Sequence, residues 1–206
     1  MRISLHNHCD YSEMKISPFF DVSIERVIDN MYQNHIDVCA ITNCNSDKGF
    51  FEFCRLNNAG RYNLVTMDSY AIRASYKNWE GYILKGIEFH KPEGHVVSFG
   101  YKGSMTGIAN MDKLENILID VKKREGRSIG AHPLVKLAGG MGLKRMLDYR
   151  HHLDAVEVFN SQAVFPFSVM NKLTEHYSKQ YDIRGIAAPD SHDGNVSIAY
   201  IETNED

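Results

Sequence analysis

The sequence predicts an α/β protein whose parallel sheet closes into a barrel. Three observations support that class. Short apolar runs alternate with helical patterns along the whole chain. No repeat, low-complexity tract or Pro/Gly-rich linker interrupts them, so residues 1–206 read as one domain. About seven strands alternate with helices, which suits a closed barrel better than a small open sheet.

The elements follow in order. RISLH, residues 2–6, is the first strand. Residues 21–35 carry Val22, Ile24, Val27, Ile28 and Met31 at helical spacing, with Asp21 and Ser23 as candidate caps. DVCAIT (37–42) is the second strand, and residues 47–58 a second helix. YILKGIEF (82–89) and HVVSFGY (95–101) are strands. Residues 112–125 form an amphipathic helix with Leu114, Ile117, Leu118 and Val121 on one stripe, ended by Gly126. SIGAH (128–132) is a strand, 142–150 a helix and DAVEVF (154–159) a strand. FSVMNKLTEHYSKQ (167–180) is a helix, RGIAAP (184–189) a strand and VSIAYIE (196–202) a last strand. Residues 60–82 match neither period. Their aromatic residues suggest a packed insertion or an irregular hairpin.

Bulk properties narrow the function. Hydrophobic content is 43% and charged content 24%, ordinary for a globular protein. The net charge of −3 offers no general attraction to nucleic acid, although a local groove can still be basic. No apolar run reaches the roughly 18 residues of a membrane span, and no signal-peptide pattern opens the chain. Cys9, Cys39, Cys44 and Cys54 contain no CxxC pair, which fits reduced thiols and a cytoplasmic location. Cys39 reads as a buried strand residue.

Residues able to hold a metal recur at strand ends. His6 and His8 follow the first strand, one residue apart, so a strand turns both to one face. Cys44 follows the second strand between Asn43 and Asn45. Glu88 ends one strand, His95 opens the next and His132 ends another. Glu157 and Asn160 close DAVEVFN, with no ligand role assigned to Glu157. Asp190 and His192 follow the strand after that, again at i, i+2. In a parallel barrel these ends meet on one rim. Imidazole with carboxylate suits Zn, Mn or Fe. His35, His90, His151, His152 and His176 fall on helices, helix ends or turns and read as surface or packing residues.

The same residues resemble the PHP family, the polymerase and histidinol phosphatase superfamily of metal-dependent phosphoesterases. His6-Asn-His8-Cys-Asp-Tyr-Ser-Glu13 resembles its opening HxHTxxSDG, with Glu13 in the place of Asp. GIEFHKPEGHVVSFGY supplies Glu88 and His95, and GAHP supplies His132. VEVFNS resembles a further segment, and APDSH supplies Asp190 and His192. The resemblance spans nearly the whole chain. It departs at ITNCNS, where the family carries ITDHD, so Asn43 replaces an Asp and Cys44 a His. A thiolate binds Zn well, so Cys44 either substitutes as a ligand or leaves that position weak.

The resemblance implies a distorted (βα)7 TIM-like barrel with two or three divalent metal ions. Its ligands would be His6, His8, Glu13, Glu88, His95, His132, Asp190 and His192, with Cys44 open. His6, His8, Glu88 and Asp190 would share one ion. Glu88, His95 and His132 would hold a second, and Glu13, His192 and Cys44 a third. The ions would activate water and neutralise charge on phosphate oxygens. Asp190 would bridge or orient the nucleophile. His192 would be a ligand or would protonate the leaving alkoxide. Lys136 and Asn160 are candidate substrate contacts, and Arg145 is another. The expected substrate is a small phosphomonoester or nucleotide. Three alternatives stand beside it: an exonuclease acting on nucleic-acid ends, a degenerate module that binds metal or ligand without turnover, and a metal-dependent amidohydrolase. A nuclease would need a basic track across the rim. The amidohydrolase normally needs a longer chain and explains the DSH ending less well.

Overall fold

The computed structural model describes residues 1–11, 15–16, 18–19, 22–108, 113–164 and 166–204. Its elements are β1 (Arg2–Asn7), α1 (Ile24–Asn34), β2 (Val38–Ile41), α2 (Lys48–Cys54), β3 (Asn58–Ala59), β4 (Tyr62–Thr66) and β5 (Ala71–Tyr76). There follow β6 (Trp79–Lys91), β7 (Gly94–Phe99), α3 (Leu114–Lys123), β8 (Arg127–Gly130), α4 (Gly142–Tyr149), β9 (Ala155–Asn160), α5 (Ser168–Gln180), β10 (Gly185–Ala188) and β11 (Ile201–Glu202).

The helices lie where the apolar spacing predicts, with shorter ends. Ser23 caps α1 by accepting a hydrogen bond from the Arg26 amide at 3.3 Å. Asp21, the other candidate cap, lies outside the described residues. Leu114, Ile117, Leu118 and Val121 are the buried stripe of α3.

The sheet runs β10-β9-β8-β7-β6-β2-β1-β11, and β3, β4 and β5 extend it as antiparallel hairpins beside β6. It is mixed, not parallel throughout. β7 runs antiparallel to both β6 and β8. The cause is chain length. Lys91 pairs with Gly94, so only Pro92 and Glu93 connect β6 to β7, whereas a parallel crossover takes a dozen residues or more. The reversal places His95, at the start of β7, beside the ends of the parallel strands.

Continuous pairing does not close the sheet into a barrel. One parallel bridge, Asn7 to Ser191, joins the end of β1 to the segment that follows β10. The His8 amide donates to the Ser191 carbonyl at 2.9 Å, and the Ser191 amide to the His6 carbonyl at 3.3 Å. Leu5, Ala40, Val97, Ile129 and Ala155, from five strands, pack in one cluster, which requires the sheet to curl. The expected strand at 196–202 shrinks to β11, antiparallel to β1. Residues 60–82, which matched no period, fold as β4, β5 and the start of β6. There Tyr62, Tyr76 and Trp79 pack edge to face in a cluster with Tyr32 of α1. Among the described residues, no helix is long and apolar enough to cross a membrane.

Candidate metal centre

Two irregularities in strand register build the site. Between Ser4 and Asn7, β1 carries one residue more than β2. In a regular strand Leu5 and His6 would face opposite sides; the extra residue lets Leu5 join the strand-lined core while His6 turns to the site. On β9, Glu157 pairs with Ile186 and Phe159 with Ala187, so Val158 is extra. Glu157 and Asn160, three apart, then share a face, and Asn160 Nδ2 donates to Glu157 Oε2 at 2.8 Å.

Glu88 lies at the centre, 3% exposed. Its Oε1 is 3.6 Å from His6 Nε2, 3.2 Å from His95 Nδ1 and 3.5 Å from His132 Nε2. Its Oε2 is 3.7 Å from His8 Nε2. Asp190 Oδ1 lies 3.4 Å from His6 Nε2 and 3.5 Å from His8 Nε2. Asp190 Oδ2 is 3.9 Å from His132 Nε2. His132 and Asp190 both hold left-handed backbone, with φ of 27° and 50°. Such conformations cost energy and persist where surrounding structure imposes them.

An outer ring of hydrogen bonds sets these groups. Glu157 Oε1 is 2.7 Å from His6 Nδ1, and its Oε2 accepts from the His132 amide at 2.7 Å. Asn160, 1% exposed, also donates to Asp190 Oδ2 at 3.2 Å and accepts from the Gln162 amide at 2.9 Å. Asn43 clamps the backbone after His8: it accepts from the Cys9 amide and donates to the Cys9 carbonyl, both at 2.9 Å. A carboxylate there could only accept, so Asn43 makes a pairing that Asp would not.

The charges follow from this geometry. Glu88, Glu157 and Asp190 are three buried side chains within one cluster, a costly arrangement without cationic partners. Burial disfavours charge on His6, yet Asp190, Glu157 and Glu88 hold its pKa well above that of a free imidazole. Burial opposes charge on His8 too, but the neighbouring Asp190 and Cys44 outweigh it and push the pKa up to about 9. Against burial, the imidazoles around Glu88, His6 foremost, hold its carboxyl well below the usual range, and His6 and His8 do the same for Asp190. Protons on the imidazoles thus balance the carboxylates, and divalent cations would displace them. The donors fit such ions. His6 Nε2, His8 Nε2 and His132 Nδ1 are buried without a hydrogen-bond partner, an expensive state for a ring nitrogen. Three sets offer ligand atoms within 4.8 Å of one another among the described residues: His6, His8 and Asp190; His8, Cys44 and Glu88; Glu88, His90 and His95.

The structure therefore brings together His6, His8, Glu88, His95, His132, Asp190 and His192. His192 stacks on His8 with ring centroids 4.1 Å apart. Its Nδ1 lies 2.9 Å from the Asp190 carbonyl, which can only accept, so Nδ1 carries the proton and Nε2 keeps a free lone pair. Burial and the His8 charge push its pKa down. Glu13 lies outside the described residues. Lys136 is exposed on a single 3-10 turn, Lys136–Ala138, its side chain beside Gly142. Arg145 donates to the carbonyls of Pro92 and Glu93.

His90 corrects a sequence expectation. It is no mere surface residue: its Nε2 is 2.7 Å from Glu88 Oε2, and its ring stacks on His95 with centroids 3.8 Å apart. Its i, i+2 spacing from Glu88 on one strand was the signal, the same one that marks His6 and His8. Glu157 likewise has a position at the centre, paired with His6.

No family model matches the sequence, and no curated protein matches it either. Solved structures do. PsfC from Pseudomonas syringae PB-5123 superposes with a TM-score of 0.64 at 14% identity, over 94% of this chain and 77% of that one. The lesion-specific endonuclease PfuEndoQ from Pyrococcus furiosus gives 0.60 at 12% identity, over 95% and 49%. A two-domain protein from Bacteroides vulgatus, containing a predicted PHP-like metal-dependent phosphoesterase, gives 0.56 at 13% identity, over 93% and 52%. This chain spans about half the length of the last two. Its structural neighbours thus include a PHP-like metal-dependent phosphoesterase and an endonuclease, and at 12–14% identity the shared property is the fold.

Proposed function

We propose that this chain is a metal-dependent phosphoesterase that hydrolyses a small phosphomonoester or nucleotide. One observation carries the reading: buried Glu88, Glu157 and Asp190 face five imidazoles, and two of the ring nitrogens directed at them, His6 Nε2 and His8 Nε2, are buried without a hydrogen-bond partner. The curled sheet is on this reading a distorted barrel, with the Asn7–Ser191 bridge as its seam.

His6, His8, Glu88 and Asp190 would hold one cation, and Glu88, His95 and His132 a second, with Zn, Mn or Fe as candidates. Glu13 and His192 are the proposed contributors to a third. Such ions supply Lewis acidity and an acidified water at neutral pH. Glu157 orients His6 through Nδ1, leaving Nε2 directed at Glu88 and Asp190. Asn160 aims Asp190 and is a positioning residue on this reading, since both ends of its amide are engaged inside the protein. His192 offers the Nε2 lone pair to a proton or a cation. Lys136 is the exposed cation on the turn after His132 and would meet a substrate phosphate.

Likeness to a lesion-specific endonuclease supports a second reading, cleavage of nucleic acid, which the net charge of −3 does not favour. Metal analysis of purified protein, followed by panels of phosphomonoesters and oligonucleotides under Mn, Zn and Fe loading, tests both. Turnover of monoesters supports the first reading. Turnover confined to oligonucleotides replaces it with the second. No turnover under any loading leaves a metal-binding module without catalysis.

A further inference from the structure

Glu88 presents its two oxygens to two different sets of side chains. Oε1 faces His6, His95 and His132. Oε2 faces His90 at 2.7 Å, His8 at 3.7 Å and Cys44 Sγ at 3.7 Å. The sulfur also lies 3.9 Å from His8 Nδ1 and interacts with the His90 ring. The backbone pins this arrangement. Cys44 and Glu88 form a parallel bridge, and the Asn45 amide donates to the Glu88 carbonyl at 2.7 Å. The Asn45 side chain accepts from the His90 amide at 3.0 Å. One turn therefore positions both Cys44 and His90 against Oε2, while stacking on His95 fixes the plane of the His90 ring.

We propose that Cys44 and His90, with Glu88 Oε2, hold a divalent cation at a position of their own, and that its sulfur selects a thiophilic ion such as Zn over Mn. The inference rests on the reading of the site as a metal centre. Sulfur, imidazole and carboxylate together are a donor set that Zn accepts and Mn does not prefer. The position is also open to exchange with solvent: the His90 side chain is 35% exposed and Cys44 partly so, whereas His6 and His8 are buried. His90 then compensates for the absence of a histidine at residue 44.

Cobalt(II) titration of the chelator-stripped full chain tests this, because sulfur ligation has its own optical signature. Wild type should show ligand-field bands together with a sulfur-to-cobalt charge-transfer absorption. Cys44→Ser should lose that absorption and take up one cation fewer while keeping ligand-field bands. Should the serine variant not fold, Cys44→His keeps a donor there. It should retain the cation count, lose the sulfur absorption and narrow the Zn-over-Mn preference. His90→Gln should weaken the sulfur-dependent step by at least about tenfold. Ligand-field bands with no Cys44-dependent absorption would overturn the proposal and leave the metal centre standing. An unchanged titration in His90→Gln would overturn the role of His90. No cobalt uptake by wild type would overturn both the proposal and the centre beneath it.

Discussion

Glu88→Gln tests the electrostatic core of the site most directly. The carboxylate contacts five imidazoles, those of His6, His8, His90, His95 and His132, at 2.7 to 3.7 Å. In metal-free protein it is the charge partner of His6, His8 and His90. Removing one member of a buried ion pair costs about 3–5 kcal/mol, against a total stability of about 5–15 kcal/mol for a domain. The loss should depend on pH. His8 and His90 have folded-state pKa values of about 9 and about 10, above the ordinary 6.5. Their stabilising contribution is therefore complete below about pH 6.5 and is lost as pH rises through 9 to 10. Glu88, whose pKa is depressed, stays charged across that whole window. Urea unfolding in chelator should show a deficit of about 3–5 kcal/mol at pH 6. Near pH 10 it should be smaller by the share that His8 and His90 contribute. An equal deficit at both pH values would refute the reasoning. In metal-loaded protein the same variant should lower the occupancy of both cations proposed to share Glu88, the one with His6, His8 and Asp190 and the one with His95 and His132. Loss of only one would show that Glu88 does not bridge.

Three further outcomes are expected. Asn160→Ala leaves Glu157 and Asp190 each short of a donor, and should weaken metal retention roughly 10- to 100-fold in a chelator competition; unchanged retention would remove Asn160 as a positioning residue. Gly139 has φ of 84°, and a Cβ there would fall 2.1 Å from His95 Nε2. Gly139→Ala should therefore destabilise the fold by more than about 1 kcal/mol and lower occupancy of the cation proposed to use His95, and metal analysis showing full occupancy would contradict this. Zn loading near pH 7.5 should release protons from His8 and His90, because both are held protonated there without metal. Calorimetry in buffers of different ionisation enthalpy measures that release, and a heat independent of buffer would count against it.

Local pattern determined much of this protein. Helical spacing marked α1 and α3 because a helix buries one stripe, a relation set within a dozen residues. His6, His8, Glu88, His132, Asp190 and His192 were legible because strand ends stand out as polar residues after apolar runs. Tertiary structure decided the rest. The direction of β7 depended on a two-residue connection, which pattern reading of the strands alone did not weigh. His90 shares a strand with Glu88 at a legible i, i+2 spacing, but its approach to His95 and to the Cys44 turn follows only when β2, β6 and β7 lie side by side. The roles of Glu157 and Asn160 depended on the extra residue at Val158, and that of His6 on the one in β1. Register is a relation between strands far apart in the chain. One inserted residue moves every later side chain to the opposite face. Side-chain direction at this site was therefore settled by pairing across the sheet, and residue identity by the sequence.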